Sequence, residues 1–263
     1  MIKKHIITCT IILTLLVMAK VFAYNLPQAA KSLLKIDKKT VPNIPITAGN
    51  STIEKKKAPR SFMARLNFAD ETLPLGDAKV ERRMKRVLTA FNHSTTQTNR
   101  LQKKAAEWFP VIEPILAKYG IPEDFKYMPL VEYGLKGGVS PKGAAGFWQF
   151  MPGTARSYGL RVNARVDERK DLHKSTVAAC KYLKELYGIF DSWTLVAAAF
   201  NAGDNHMKRQ INRQNQDNYF KMKLNRETGR YVYKLISMKQ IVENPERYGY
   251  TAPKELLAYN EKE

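Results

Sequence analysis

Gly134, Gly137, Gly138, Pro141, Gly143 and Gly146 follow one another directly after an apolar run that ends at Glu132. Neither a helix nor a strand tolerates that density of glycine, so the chain must turn sharply there. On both sides of this loop the apolar residues recur at helical spacing. Val80, Met84, Val87, Leu88 and Phe91 share one face from about Ala78 onward. A second run covers about Gln97 to Tyr119, with a bend or split expected near Pro110 and Pro114. Gly120-Ile121-Pro122 stops it, and Pro122 with Glu123 and Asp124 opens a further helix through Val131. After the loop, Phe147 to Tyr158 reads as a short helix ended by Gly159. Ser175 to Tyr187 reads as a helix capped by Ser175 and closed by Gly188. Ser192 to Ala202 fits a buried helix of small residues, and Arg226 to Val242 a last amphipathic one. No window alternates as a strand does. The expected class is all-α.

The first residues set the expected compartment. A short basic start, Met1 to His5, precedes a mostly apolar stretch from Ile6 to Met18. Val21-Phe22-Ala23 then puts small residues before a cut between Ala23 and Tyr24, the pattern of a secretory signal over residues 1–23. The alternative is an uncleaved N-terminal membrane anchor, although the run is short for a span. Residues 24–60, with Lys38-Lys39, Pro42, Pro45 and Lys55-Lys56-Lys57, read as a basic flexible linker. The remaining expected divisions are a helical N-terminal extension at 61–105, the main domain at 106–250 and a tail at 251–263. Lys and Arg number 44 against 24 Asp and Glu, a net charge of +20, so the chain should seek polyanions. Export makes nucleic acid a poor partner and favours the cell envelope: its wall polymer, or a membrane surface bound peripherally.

Familiar chemical signatures are absent. The histidines are scattered, and no phosphate-binding loop, dinucleotide fingerprint or nucleophile elbow occurs. No metal and no cofactor is expected. Cys180, on a helix of small residues, reads as a buried structural thiol. Glu132 stands apart, at the junction of the apolar Met128-Pro129-Leu130-Val131 and the glycine loop. An apolar wall raises a carboxyl pKa, which suits a general acid near neutral pH; a solvated helix-end Glu is the plainer reading. Gln149 lies within Phe147-Trp148-Gln149-Phe150-Met151, and Asn201 follows Ala197-Ala198-Ala199-Phe200. Buried amides among aromatics suit a sugar, although each also suits a structural bond to backbone.

Read together, these strings resemble the lytic murein transglycosylases, in the D branch of the goose-lysozyme-like superfamily. The resemblance runs from Ile112-Glu113-Pro114 through Val131-Glu132 to Val139-Ser140-Pro141-Lys142-Gly143-Ala144-Ala145-Gly146-Phe147-Trp148-Gln149-Phe150-Met151-Pro152. It continues at Val166-Asp167-Glu168-Arg169, Phe200-Asn201-Ala202-Gly203 and Arg226-Glu227-Thr228-Gly229-Arg230-Tyr231-Val232. It implies a lysozyme-like helical domain with a long groove for peptidoglycan. It also implies cleavage of the β-1,4 bond between N-acetylmuramic acid and N-acetylglucosamine without water, leaving a 1,6-anhydromuramyl end. Glu132 would then be the single acid and base. Ser140, Gln149, Met151, Asn201 and Tyr231 would line the sugar subsites, and Glu227 also matches a family position.

Two departures from the family pattern stand near the acid. Tyr133 occupies a usual serine position, and Phe200 a usual tyrosine whose hydroxyl orients the acid. A compensating hydroxyl from Tyr133 is one expectation. A catalytically impaired peptidoglycan-binding or scaffold protein is the competing one, and a hydrolase with a second carboxylate is a third.

Overall fold

The computed structural model describes residues 62–91, 95–134 and 137–248. The expected signal, linker and tail lie outside the described residues. The described chain is helical apart from one small hairpin: strand β1 (Asn67–Phe68) pairs antiparallel with β2 (Glu71–Thr72). The hairpin was not legible as alternation because each strand is two residues long. Its turn is made by Ala69 and Asp70, both at positive φ.

Helix α1 (Ala78–Phe91) buries Val80, Met84 and Val87 along one stripe. Helix α2 (Thr95–Tyr119) runs unbroken through Pro110 and Pro114, and across the expected division at 105. Both prolines lie on its exposed face, four residues apart. The opposite face buries Leu101, Ala105, Trp108, Phe109, Ile112 and Leu116. That apolar stripe holds the helix together where the prolines remove two backbone donors.

The next helix is composite: a 3₁₀ turn (Glu123–Lys126), one α-turn (Tyr127–Pro129) and a π-turn (Leu130–Gly134). Helix α3 is shorter than expected, Pro152–Ser157. Helix α4 (Leu172–Phe190) starts earlier and ends later than expected. Its cap is Asp171, whose side chain accepts from the Lys174 amide, whereas Ser175 is buried in the first turn. The helix passes through Gly188 and ends at Asp191 in the left-handed conformation. Helix α5 (Trp193–Ala202) is followed directly by α6 (Asp204–Gln214), which has few apolar residues and was missed in sequence. Helix α7 (Thr228–Glu243) is the hub, packing on α1, α2, α5, the composite helix and β1.

The hairpin has a definite job. The Glu71 carboxylate accepts from the Trp193 and Thr194 amides and from the Ser192 and Thr194 hydroxyls, so it caps α5 from across the chain. Asp124 accepts from the Ala69 amide at 2.7 Å and pairs with Lys239 of α7 at 2.7 Å. Glu71→Ala is expected to take away the acceptor of the first two amides of α5, leaving the Ser192 side chain, which accepts from the Leu195 amide, as the remaining cap of a helix whose interior is almost wholly apolar. The cost should be about 1–3 kcal/mol, a drop of several degrees in the thermal midpoint followed by circular dichroism. An unchanged midpoint would remove the hairpin's structural role.

Candidate active site

Glu132 projects from the π-turn of the composite helix. A π-turn inserts one residue into the helical register and swings its side chains relative to the flanking turns. Here it places Glu132 beside Tyr231 of α7. The carboxyl is mostly buried, and burial pushes its pKa above the ordinary glutamate range. The Tyr231 hydroxyl and the Lys234 ammonium oppose that shift, while Glu227 reinforces it. Tyr231 is 2% exposed, and its hydroxyl meets no other polar group at hydrogen-bonding geometry. Its pKa is raised well above the ordinary value, first by burial and then by Glu132. The site is therefore a desolvated carboxyl faced by an unshared phenol, an arrangement that holds the carboxyl proton to higher pH than an ordinary glutamate does.

The glycine loop is a rigid corner. Isolated antiparallel bridges join Val139 to Ala145 and Ala145 to Phe150. Ser140 accepts the Ala144 amide on its hydroxyl oxygen at 2.9 Å, so its acceptor serves the loop and its proton remains to be given. Gln149 holds a positive φ of 47°, and its amide nitrogen donates to the Gly146 carbonyl at 2.9 Å and the Gly138 carbonyl at 3.3 Å. Arg169 staples the corner from below: it donates to the Gly143 carbonyl at 2.8 Å and the Phe150 carbonyl at 2.9 Å, while Asp167 holds its other edge. Gly146 lies so close that a β-carbon there would sit 1.8 Å from the Arg169 carbonyl oxygen. Met151 is 42% exposed at the loop's end, where it precedes α3.

Asn201, on the last turn of α5, accepts from the Thr228 hydroxyl at 3.2 Å and so ties α5 to the start of α7. Phe200 packs edge-on against Trp148 and at a tilt against Phe150 and Tyr182, at centroid distances of 6.1, 5.6 and 5.3 Å. Tyr158 continues this row at 4.9 Å from Tyr182. Phe200, Tyr182 and Tyr158 are half-buried, leaving an aromatic shelf with partly open faces. Tyr133 points to a different cluster, against Trp108 and Phe147, with the Lys104 ammonium 5.5 Å from its ring centre. It is absent from the groups that shift Glu132. The hydroxyl opposite the acid is that of Tyr231, not Tyr133.

Two further acids are accounted for. Asp167 is paired with Arg169. Glu168 takes Arg161 and Lys174, which hold its carboxyl at a pKa of about 2. Cys180 is buried, and burial pushes its thiol up to about 12, so it is not a thiolate nucleophile. Sequence reasoning missed Tyr219: its buried hydroxyl donates to the Thr228 carbonyl at 2.7 Å and accepts from the Val232 amide, clamping the turn that carries Tyr231. Only its aromatic neighbour Phe220 hinted that residues 219–220 are core.

A family model described as "Transglycosylase SLT domain" matches residues 119–223. The chain is 33% identical over 142 residues to "Membrane-bound lytic murein transglycosylase D" of Escherichia coli (strain K12), across 52% of this chain and 31% of that protein. It is 32% identical over 96 residues to a "Putative tributyltin chloride resistance protein" of Alteromonas sp. (strain M-1), across 36% of this chain and 46% of that one. The chain thus spans less than half the length of these relatives. Among solved structures, an inactive mutant of lytic transglycosylase Slt from Pseudomonas aeruginosa aligns with a TM-score of 0.40 at 18% identity, covering 56% of this chain and 25% of that one.

Proposed function

We propose that this chain, whose residues 119–223 match the transglycosylase SLT domain, is a lytic transglycosylase of the cell envelope that cleaves peptidoglycan strands. The protonated Glu132 carboxyl gives its proton to the glycosidic oxygen between muramic acid and glucosamine residues. The bond to the muramyl C1 then breaks, and the departing sugar leaves with its new hydroxyl. Glu132, now a carboxylate, removes the proton of the muramyl 6-hydroxyl as that oxygen closes on C1. The product is a 1,6-anhydro end, and the acid is restored to its starting state.

The observation that carries this reading is the desolvated Glu132 facing Tyr231, with Glu227 the one other carboxylate whose charge reaches it. A hydrolase of either stereochemistry places two carboxyl groups across the bond. Asp167 and Glu168 are bound up in ion pairs. The aromatic shelf at Phe200, Tyr182 and Tyr158 offers the flat apolar surface a sugar face requires. Export to the periplasm and binding of anionic wall polymer accord with the net charge of +20.

Digestion of purified sacculi by the full chain, read by mass spectrometry, tests the reaction. Anhydromuropeptides are expected. Reducing muramic ends would make the protein a hydrolase and bring forward Glu227, the one acid that raises Glu132. Bound but intact sacculi would leave a wall-binding protein.

Tyr231→Phe is expected to lower the rate about ten- to a hundredfold, the loss of one hydrogen-bonding group at the acid. It also carries a pH signature. Glu132 acts first as an acid, so activity falls as pH rises through its pKa. Tyr231 holds that pKa down. Removing the hydroxyl should therefore move the alkaline limb of the pH–rate profile upward. A limb that stays in place or moves down would break the Tyr231–Glu132 coupling.

A further inference from the structure

A recess of about 200 Å³ opens between α1 and the start of α7, lined by Arg83, Arg86, Val87, Leu224, Asn225, Arg226, Gly229 and Arg230. Four of these residues are arginines and none is acidic. Arg83 donates to the Gly229 carbonyl at 3.2 Å and lies 5.7 Å from the Tyr233 ring centre. Arg86, Arg226 and Arg230 form no ion pair with any described residue. Most other charged clusters here are neutralised: Lys126 by Glu113 and Glu123, Glu168 by Arg161 and Lys174, Asp124 by Lys239. Gathering guanidinium groups around one concave space repels unless an anion occupies it. The first amides of α7 are already taken by the Asn225 side chain, so the positive character comes from side chains.

The chemistry narrows the occupant. Guanidinium groups hold their charge at every physiological pH and accept planar, two-oxygen anions in a fork. Arg226 lies in the turn that leads into α7 and Arg230 in the first turn of that helix, and Tyr231 is the next residue. The muramyl sugar that is cleaved also carries the peptide stem. A stem extends about 3.3–3.6 Å per residue, so two or three residues reach about 7–11 Å from the sugar. That is one to two helical turns along α7.

We propose that the arginine recess is an anion site that binds the carboxylate groups of the peptide stem, which makes it the specificity-determining subsite of the reaction assigned above. This inference rests on that assignment, but its binding can be read without turnover. All of the lining residues lie outside the matched family segment of residues 119–223, with Arg83, Arg86 and Val87 on α1 before it and the others after it. The site therefore joins the N-terminal part of the chain to the substrate.

The test titrates the full chain with a free stem tetrapeptide, with the same peptide amidated at its carboxylates, and with inorganic phosphate. The carboxylate peptide is expected to bind at least tenfold more tightly than the amidated one, with affinity falling as salt rises. The double variant Arg86→Gln, Arg226→Gln should lose about tenfold, and Arg86→Lys, Arg226→Lys should recover part of it. An unchanged thermal midpoint in both variants excludes misfolding as the cause. Equal affinity for free and amidated peptide, or for wild type and the glutamine variant, overturns the proposal. Phosphate binding without peptide binding also overturns it, because the site then reads a phosphate-bearing polymer or lipid. Sacculus digestion is scored separately: peptide binding without anhydromuropeptides sinks the catalytic reading alone, and anhydromuropeptides without peptide binding sink the subsite alone.

Discussion

Glu132→Gln is expected to abolish release of anhydromuropeptides from sacculi while leaving a folded chain that still binds them. The amide fills nearly the same volume and can neither give nor take the proton. Both halves of the proposed reaction would use this one group, so the loss should reach the upper part of the range for a general acid–base, about 10²- to 10⁴-fold. The substitution also has a stability signature that an ordinary surface glutamate would not give. Burial raises the folded-state pKa of Glu132. The folded chain therefore holds this proton to higher pH than the unfolded chain, whose glutamate titrates near about 4.3. Stability falls as pH rises from that value through the folded one, and the cost is fully present above both. Glutamine carries no such cost. The variant should match wild type in acid and exceed it at neutral pH, in melting curves recorded at both. A variant that retains activity, or one whose relative stability is the same at both pH values, would contradict the desolvated acid.

The largest loss of stability is expected at Gly146→Ala. Its φ is +77°, and the added carbon would stand 1.8 Å from the Arg169 carbonyl oxygen and 2.3 Å from the carbonyl carbon. Backbone lies on both sides of the clash, so no rotamer relieves it. The left-handed conformation alone costs about 1–2 kcal/mol, and overpacking adds about 1–3 kcal/mol. Of a total stability of about 5–15 kcal/mol, that is a large share. Gly143→Ala is the internal control. Its φ is +87° but nothing stands within 4 Å, so only the conformational cost of about 1–2 kcal/mol applies. Urea midpoints of the two variants should separate clearly, with Gly146→Ala the lower. Equal midpoints would mean that the corner yields and that Arg169 does not clamp it.

The helices were legible where a long apolar stripe recurs, as in α1, α2 and α7. The apolar helix end running into glycines left a desolvated and a solvated Glu132 both open, and its burial follows from the packing of the distant α7. What failed was governed by partners distant in sequence. Pro110 and Pro114 mark a break to a local reading, yet the buried face of α2 overrides them. Asp171, not Ser175, caps α4, a choice between two good caps that propensity does not decide. Helix α6 has almost no apolar residues to display a period, and Met207 is its buried anchor. Gln149 and Asn201 are both engaged in structural bonds, the plainer of the two readings their sequence allowed. The substitution of Tyr133 invites a compensating hydroxyl in sequence; the π-turn sends that ring toward Trp108 and Phe147 instead.

The cap that Glu71 lends to α5 spans more than a hundred residues, and so do the links from Asp124 to Lys239 and from Arg83 to Gly229. A chain emerging from a ribosome or a translocon amino end first makes its hairpin early and has nothing for it to cap. Helix α5 arrives later, and α7, which ties the ends together, arrives last. Little of the molecule is worth forming until nearly all of it is present, so closure should be slow relative to emergence and concerted when it comes. Such a late clasp keeps Glu132 and Tyr231, which lie on elements far apart in sequence, unassembled until the last helix has formed.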